Sequence, residues 1–315
     1  MSEYPPEYIP PPPVPEFKGS WERPGRSPAS AAIFGLILIG IIYFYAQAII
    51  ATIVILIAQP GAHQQTTGKT FVEVMTSTMV AMKGPIRIAL IISQFIFMLI
   101  PTIWIIRHWH TKDFLSYVRL KAVPLAEILL AIVATACFVP VSGFIGEFFL
   151  KQLNFPDFLA RINEEIFTSY SPVEFIWVII VVCMTPAICE ETLFRGYVQR
   201  TLERQLGMKS LFIAGVIFGL YHMEPIGLVS LSIVGIMIGF FFYRSKSLLP
   251  GMAAHFTNNL IAILSTYRTT TGELRLPFLS RDVNALETIV ALILTSGIIF
   301  AYYSYTKRNF TPQPA

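Results

Sequence analysis

Two adjacent acids, Glu190 and Glu191, and one base, Arg195, interrupt an apolar stretch of this 315-residue chain, and His222, His255 and Asn259 follow in surroundings just as apolar. Carboxylate, imidazole and amide are the groups that move protons and donate hydrogen bonds to developing negative charge. In a solvated loop the run Cys189-Glu190-Glu191-Thr192-Leu193-Phe194-Arg195-Gly196-Tyr197 would mean little. Leu193, Tyr197 and Leu202, however, continue an apolar pattern with no strong breaker before Gly207. The pattern predicts one helix from about Pro172 to Arg204 that carries all three charges into apolar surroundings. Ionisable residues inside a membrane are costly, face protein or water, and are functional candidates by default.

A reversal near Gln205 to Gly207 leaves Glu190 and His222 each sixteen residues from position 206. In an antiparallel helical hairpin they then share one depth, about 24 Å along the axis. Glu191 precedes Arg195 by four residues, the favourable order for an ion pair within a helix. That pair leaves Glu190 without a cation of its own, as suits a general base. Phe218 stands one turn before His222, where its ring can pack on the imidazole; His255 and Asn259 share a helical face. Measured from Arg244 and Lys246, His255 is only nine or so residues into its helix, shallower than the Glu190 and His222 level. A salt-bridge cluster that merely locks helices together competes with the catalytic reading, as does a packing role for His255 and Asn259. His63, His108 and His110 fall in loops or interfacial segments and are expected to meet solvent or headgroups.

Such a set could hydrolyse a peptide bond in two ways. Glu190 could deprotonate a water that one imidazole helps to position, while the other imidazole and the Asn259 amide donate to the oxyanion. Alternatively Glu191, His222 and His255 could hold zinc, which would acidify its water. No H-E-x-x-H occurs in the chain. The metal-free route is favoured because it uses the four polar residues without a remainder; zinc is the alternative cofactor.

The elements that position these residues read as membrane helices. Hydrophobic residues make up 54% of the chain and charged ones 13%, about half the charged fraction of a soluble domain. Eight stretches free of Asp, Glu, Lys and Arg run from Ser27 to Gly68, Ile88 to Ile106, Ile128 to Gly146, Phe175 to Cys189, Ser210 to Met223, Pro225 to Tyr243, Ser247 to Tyr267 and Thr288 to Thr306. They predict an all-α bundle of eight transmembrane helices over 31–306, the runs at Phe175 and Ser210 being short for a crossing of about 20 residues. Residues 1–30 hold nine of the 22 prolines and are expected to form an extended, disordered cytoplasmic tail; residues 307–315 form a second, short one. With no apolar core near Met1, the first helix is expected to act as its own insertion signal. Lys and Arg divide 15 to 8 between the two sides, which predicts that both termini are cytoplasmic; a bacterial plasma membrane is the expected location. Cys137, Cys183 and Cys189 form neither a disulfide framework nor a C-x-x-C metal spacing. The basic residues make no stripe, so nucleic acid is excluded as a partner. Membrane lipid and a membrane-associated protein or peptide are the partners expected instead.

Glu190-Glu191-x-x-x-Arg195, Phe218-x-x-x-His222 and His255-x-x-x-Asn259 together resemble the three-motif signature of the CPBP intramembrane proteases, the CAAX protease and bacteriocin-processing family also called Abi. All three motifs are complete and in order, over about 172–267. The resemblance implies an all-helical membrane endopeptidase acting on a membrane-associated or CAAX-like substrate. Glu190 and His222 would activate water, His255 and Asn259 would form the oxyanion site, and Glu191, Arg195 and Phe218 would support them. An ion-coupled transporter would also place Glu and His at mid-membrane, though with repeated interrupted helices, and no internal repeat is visible. A non-catalytic scaffold or bacteriocin-immunity protein of the same fold is the remaining alternative.

Overall fold

A computed structural model describes residues 17–58, 70–153, 167–225, 227–265, 267–269, 272–273 and 284–310. Its main elements are eight helices: α1 (Pro28–Ala58), α2 (71–110), α3 (Leu125–Leu153), α4 (Pro172–Leu206), α5 (Lys209–Tyr221), α6 (Leu228–Ser245), α7 (Leu249–Ser265) and α8 (Ala285–Tyr305). Each overlaps one of the eight apolar runs. Six stretches among the described residues are long and apolar enough to cross a membrane, one each in α1, α2, α3, α4 and α6 and one reaching from α8 to Asn309. The other two are shorter: α5 has 13 residues and α7 has 17. A two-residue hairpin, β1 (Arg268–Thr269) and β2 (Gly272–Glu273), follows α7.

The helices start and bend where side-chain chemistry dictates. Thr70 and Glu73 form a reciprocal cap at the head of α2, and Asn284 and Glu287 do the same for α8, each satisfying backbone N–H groups left open in a first turn. Pro101 and Pro186 lie inside α2 and α4, each just beyond a wide π-helical turn, Ser93–Leu99 and Ile179–Met184. Proline cannot donate to the carbonyl four residues back, so the ladder must rearrange beside it. Gly207 takes φ +55° and reverses the chain between α4 and α5, a conformation that costs glycine little.

One apolar cluster joins α1, α2 and α4 through Ile39, Met98, Leu193, Phe194 and Tyr197. A second joins α3, α6 and α8 through Ala134, Phe138, Val234, Phe241 and Tyr302. Between them α5 packs on α6 at close range: a Cβ on Gly215 would lie 2.6 Å from the Ile236 backbone nitrogen, and one on Gly219 would lie 2.8 Å from the Leu228 carbonyl oxygen. Small residues let helices approach in this way inside a membrane. Ile33, Phe34, Ile37, Leu286, Ile289 and Ile293 point outward from α1 and α8, as expected of surfaces that meet lipid.

One end of the bundle is polar. Glu22 bonds both guanidinium nitrogens of Arg204 at 2.7 Å and accepts from or pairs with His110. Arg119 and Lys246 converge on Glu203, and Arg244 bonds Thr306 and Tyr303 at the end of α8. Both described chain ends therefore lie at this end. Residues 1–16 and 311–315, with most of the proline-rich segment and its Pro10 to Pro13 run, lie outside the described residues, as does His63. Residues 17–27, expected to belong to an extended tail, instead lie against α2, with Gly19 N bonded to His110 O and Trp21 N to Trp109 O. His110 is also corrected: it is fully buried, because Glu22 and the stacked Tyr117 ring enclose it. His108 is exposed and bonds the Trp104 carbonyl.

Candidate active site

The short helices carry the histidines. His222 caps the end of α5, whose 13 residues reach about 20 Å, well short of a bilayer core. His222 Nδ1 lies 2.8 Å from the Phe218 carbonyl oxygen. A carbonyl only accepts, so Nδ1 carries a proton and Nε2 of the neutral ring is left as an acceptor. The Phe218 ring stands edge-on to both imidazoles, with centroids 4.6 Å from His222 and 5.6 Å from His255.

His255 reaches the same place from α7. The turn that precedes α7 is buried: Ser247 Oγ donates to Lys121 O and Leu248 N to Arg119 O. Because α7 starts inside the protein, His255 meets Glu191 only six residues after Leu249, which resolves its apparent shallowness in the sequence. His255 Nδ1 is 2.7 Å from Glu191 Oε1, and Arg195 donates to the same oxygen. Arg195 also donates to Gly235 O at 2.9 Å and lies over the Phe218 ring. One turn further, Gln199 Nε2 donates to Gly239 O. Two long polar side chains of α4 thus grip two glycine carbonyls of α6, where a larger residue would block them: a Cβ on Gly239 would sit 2.7 Å from Gln199 Oε1.

Glu190 lies between the rings. Its Oε2 is 3.8 Å from His222 Nε2 and 4.0 Å from His255 Nε2. Its Oε1 accepts from Gln94 Nε2 of α2 at 2.9 Å. Exposure falls from 29% for the His222 side chain to 11% for Glu190, 4% for His255 and none for Glu191, so the site opens on the His222 side. Beside it Met223 takes φ +51°, rare for a residue with a side chain. Glu190 Oε2, Glu191 Oε2, Gln94 Oε1 and the Tyr221 hydroxyl are buried with no hydrogen-bond partner in the protein. Buried polar atoms are paired in the great majority of cases, and here four orphans collect around one carboxylate pair.

Asn259 is placed differently. Its Nδ2 donates to Val182 O at 2.7 Å, and its Oδ1 accepts from Asn258. Val182 is four residues before Pro186, which has no N–H to offer it. The proline in α4 thereby creates the acceptor that holds Asn259 of α7.

Of the residues singled out in the sequence, Glu190, His222 and His255 share one oxygen atom's neighbourhood, Glu191 and Arg195 form the expected pair, and Phe218 lies against both imidazoles. Glu191 has a further partner, His255, that spacing did not suggest. The zinc set Glu191, His222 and His255 does not fit a metal. Glu191 Oε1 is committed to Arg195 and to His255 Nδ1, and no group of three or more His, Cys, Asp or Glu among the described residues is placed to hold an ion. Gln94 was missed, although a lone amide in the charge-free run Ile88 to Ile106 was the signal that could have found it. Tyr221, one residue before His222, was missed as well.

The fold is a polytopic helical membrane bundle with a buried Glu and His cluster. Residues 172–261 match the family described as Rce1-like, type II CAAX prenyl endopeptidase Rce1-like. The matched stretch begins with α4 and ends inside α7, and so spans the elements that bear all three motifs. No curated protein and no solved structure gives a match to the chain.

Proposed function

We propose that the protein is an intramembrane endopeptidase that cleaves a membrane-associated, CAAX-like protein or peptide with a water activated by Glu190. The convergence of both Nε2 atoms on Glu190 Oε2, at 3.8 and 4.0 Å, carries this reading. Two hydrogen bonds of about 2.8 Å that meet at a right angle span about 4 Å, so one water can join the carboxylate to an imidazole.

In this reading Glu190 takes a proton from the water while the His222 Nε2 lone pair orients it. The hydroxide attacks the substrate carbonyl carbon. As an imidazolium, with Nδ1–H donated to Glu191, His255 donates Nε2–H to the oxyanion. Asn259 uses one Nδ2 hydrogen for Val182 and offers the other to the same oxyanion. As the C–N bond breaks, Glu190 returns its proton to the departing nitrogen. Gln94 holds the free carboxylate rotamer in place.

Reconstituted protein should cleave a lipidated CAAX-type reporter peptide. Glu190→Gln keeps shape but takes no proton, and should lower turnover by about 10²- to 10⁴-fold. Undiminished cleavage by that variant would refute the mechanism. Loss of activity to a chelator and its return with added zinc would overturn the metal-free route and leave the protease reading intact.

A further inference from the structure

At the polar end of the bundle, ten residues along α4 from Glu190, a cavity of about 320 Å³ opens between the α2–α3 connection, α4 and the α6–α7 turn. Arg119, Lys121, Arg200 and Lys246 line it, with Leu115 and Leu120. Four cations line the cavity, and the Glu203 carboxylate beside them is already taken by Arg119 at 2.7 and 3.0 Å and by Lys246 at 2.8 Å. Arg200 and Lys121 have no ion-pair partner among the described residues, and Arg200 Nε is buried with no hydrogen bond. A buried guanidinium nitrogen left unbonded is expensive unless something else supplies the acceptor.

One further observation points to what that acceptor is. Leu115 and Leu120, at the rim, are 55% and 39% exposed. An anion alone explains the cations but not exposed leucines beside them; an anion carried on acyl chains explains both. Basic pockets at the ends of membrane helices suit lipid headgroups for this reason. We propose that this cavity binds the phosphate of an anionic phospholipid, with Arg200 and Lys121 donating to phosphate oxygens and Leu115 and Leu120 against the first acyl carbons. The binding is independent of the peptidase reading.

Native mass spectrometry of the full chain tests it, after reconstitution in phosphatidylcholine alone or with phosphatidylglycerol. Phosphatidylglycerol should stay bound preferentially, and Arg200→Gln and Lys121→Gln should each weaken its retention about fivefold. Lys209→Gln, an exposed cation at the same end, should leave retention unchanged. Lys121 is exposed, so its variant keeps the test sound even if the Arg200 variant folds poorly. Equal retention of the two lipids, or no effect of Lys121→Gln, would overturn the proposal. Inorganic phosphate added to protein in phosphatidylcholine should bind far more weakly. Phosphate binding as tight as the lipid's would show a free-anion site and overturn the lipid assignment.

Discussion

Glu190 and Glu191 are adjacent in sequence yet occupy opposite situations. Glu191 is closed in by Arg195 and His255 with no exposure, whereas Glu190 turns one oxygen to Gln94 and the other toward two imidazoles. Removing Glu191 should therefore act first on stability: Glu191→Ala leaves the buried Arg195 without its carboxylate, a loss of about 3–5 kcal/mol, to be read as a lower unfolding midpoint in detergent. Gln94→Ala should act on catalysis. It removes a bond to a charged oxygen worth about 1.5–3 kcal/mol, so turnover should fall by roughly tenfold to a hundredfold with KM little changed, and a change confined to KM would count against a positioning role. The Glu191 to Arg195 pair could be read from a four-residue spacing. The Glu191 to His255 bond could not, because 64 residues separate them and only the buried turn before α7 brings them level. Asn259 illustrates a middle case: Pro186 was visible as a ladder breaker, but nothing in one sequence says which side chain takes the freed carbonyl.

At the scale of elements, the apolar runs marked where helices lie and left their limits open. The run beginning at Ile88 stopped at Arg87, yet α2 extends back to Phe71, because Lys83 and Arg87 both pair with Glu174 of α4, at 2.7 and 2.8 Å. Charge ends an apolar pattern, but it does not end a helix when a neighbour supplies the counter-charge. The reversal expected at 205–207 falls at Gly207, since the hairpin needed a positive φ. Helix proximity was illegible: nothing short of the packed structure shows that Gly215 and Gly219 rest on the α6 backbone. Gly215→Ala would meet backbone atoms that cannot turn aside, and should cost about 1–3 kcal/mol while shifting His222 away from Glu190. Thermal unfolding and turnover should fall together; an unchanged midpoint would show that α5 and α6 can separate freely.

For the whole molecule, the polar end gathers both described chain ends, so cysteines placed at Ser27 and Gln313 should be labelled from one side of the membrane, the cytoplasmic side by the distribution of Lys and Arg. Labelling of either from the outer face only would reverse that topology. The same end sets an acid limit on stability. Burial alone would raise the Glu22 carboxyl, but its bonds to Arg204 and His110 outweigh burial and hold it down to about 2, against an ordinary 4.5. A carboxylate with a lowered folded-state pKa contributes its full share above 4.5 and loses it as the pH falls toward 2. The unfolding midpoint should drop across that window, and Glu22→Gln should flatten the drop. The Glu22 to Arg204 contact also has a temporal side. Its partners are 182 residues apart, and a chain is made from its amino end. The segment 17–27 thus leaves the ribosome before α4 does, and it cannot close until α4 has been synthesised and inserted. A protease cut between Lys18 and Arg26 would mark nascent chains not yet past that point, and its disappearance would time the completion of the bundle.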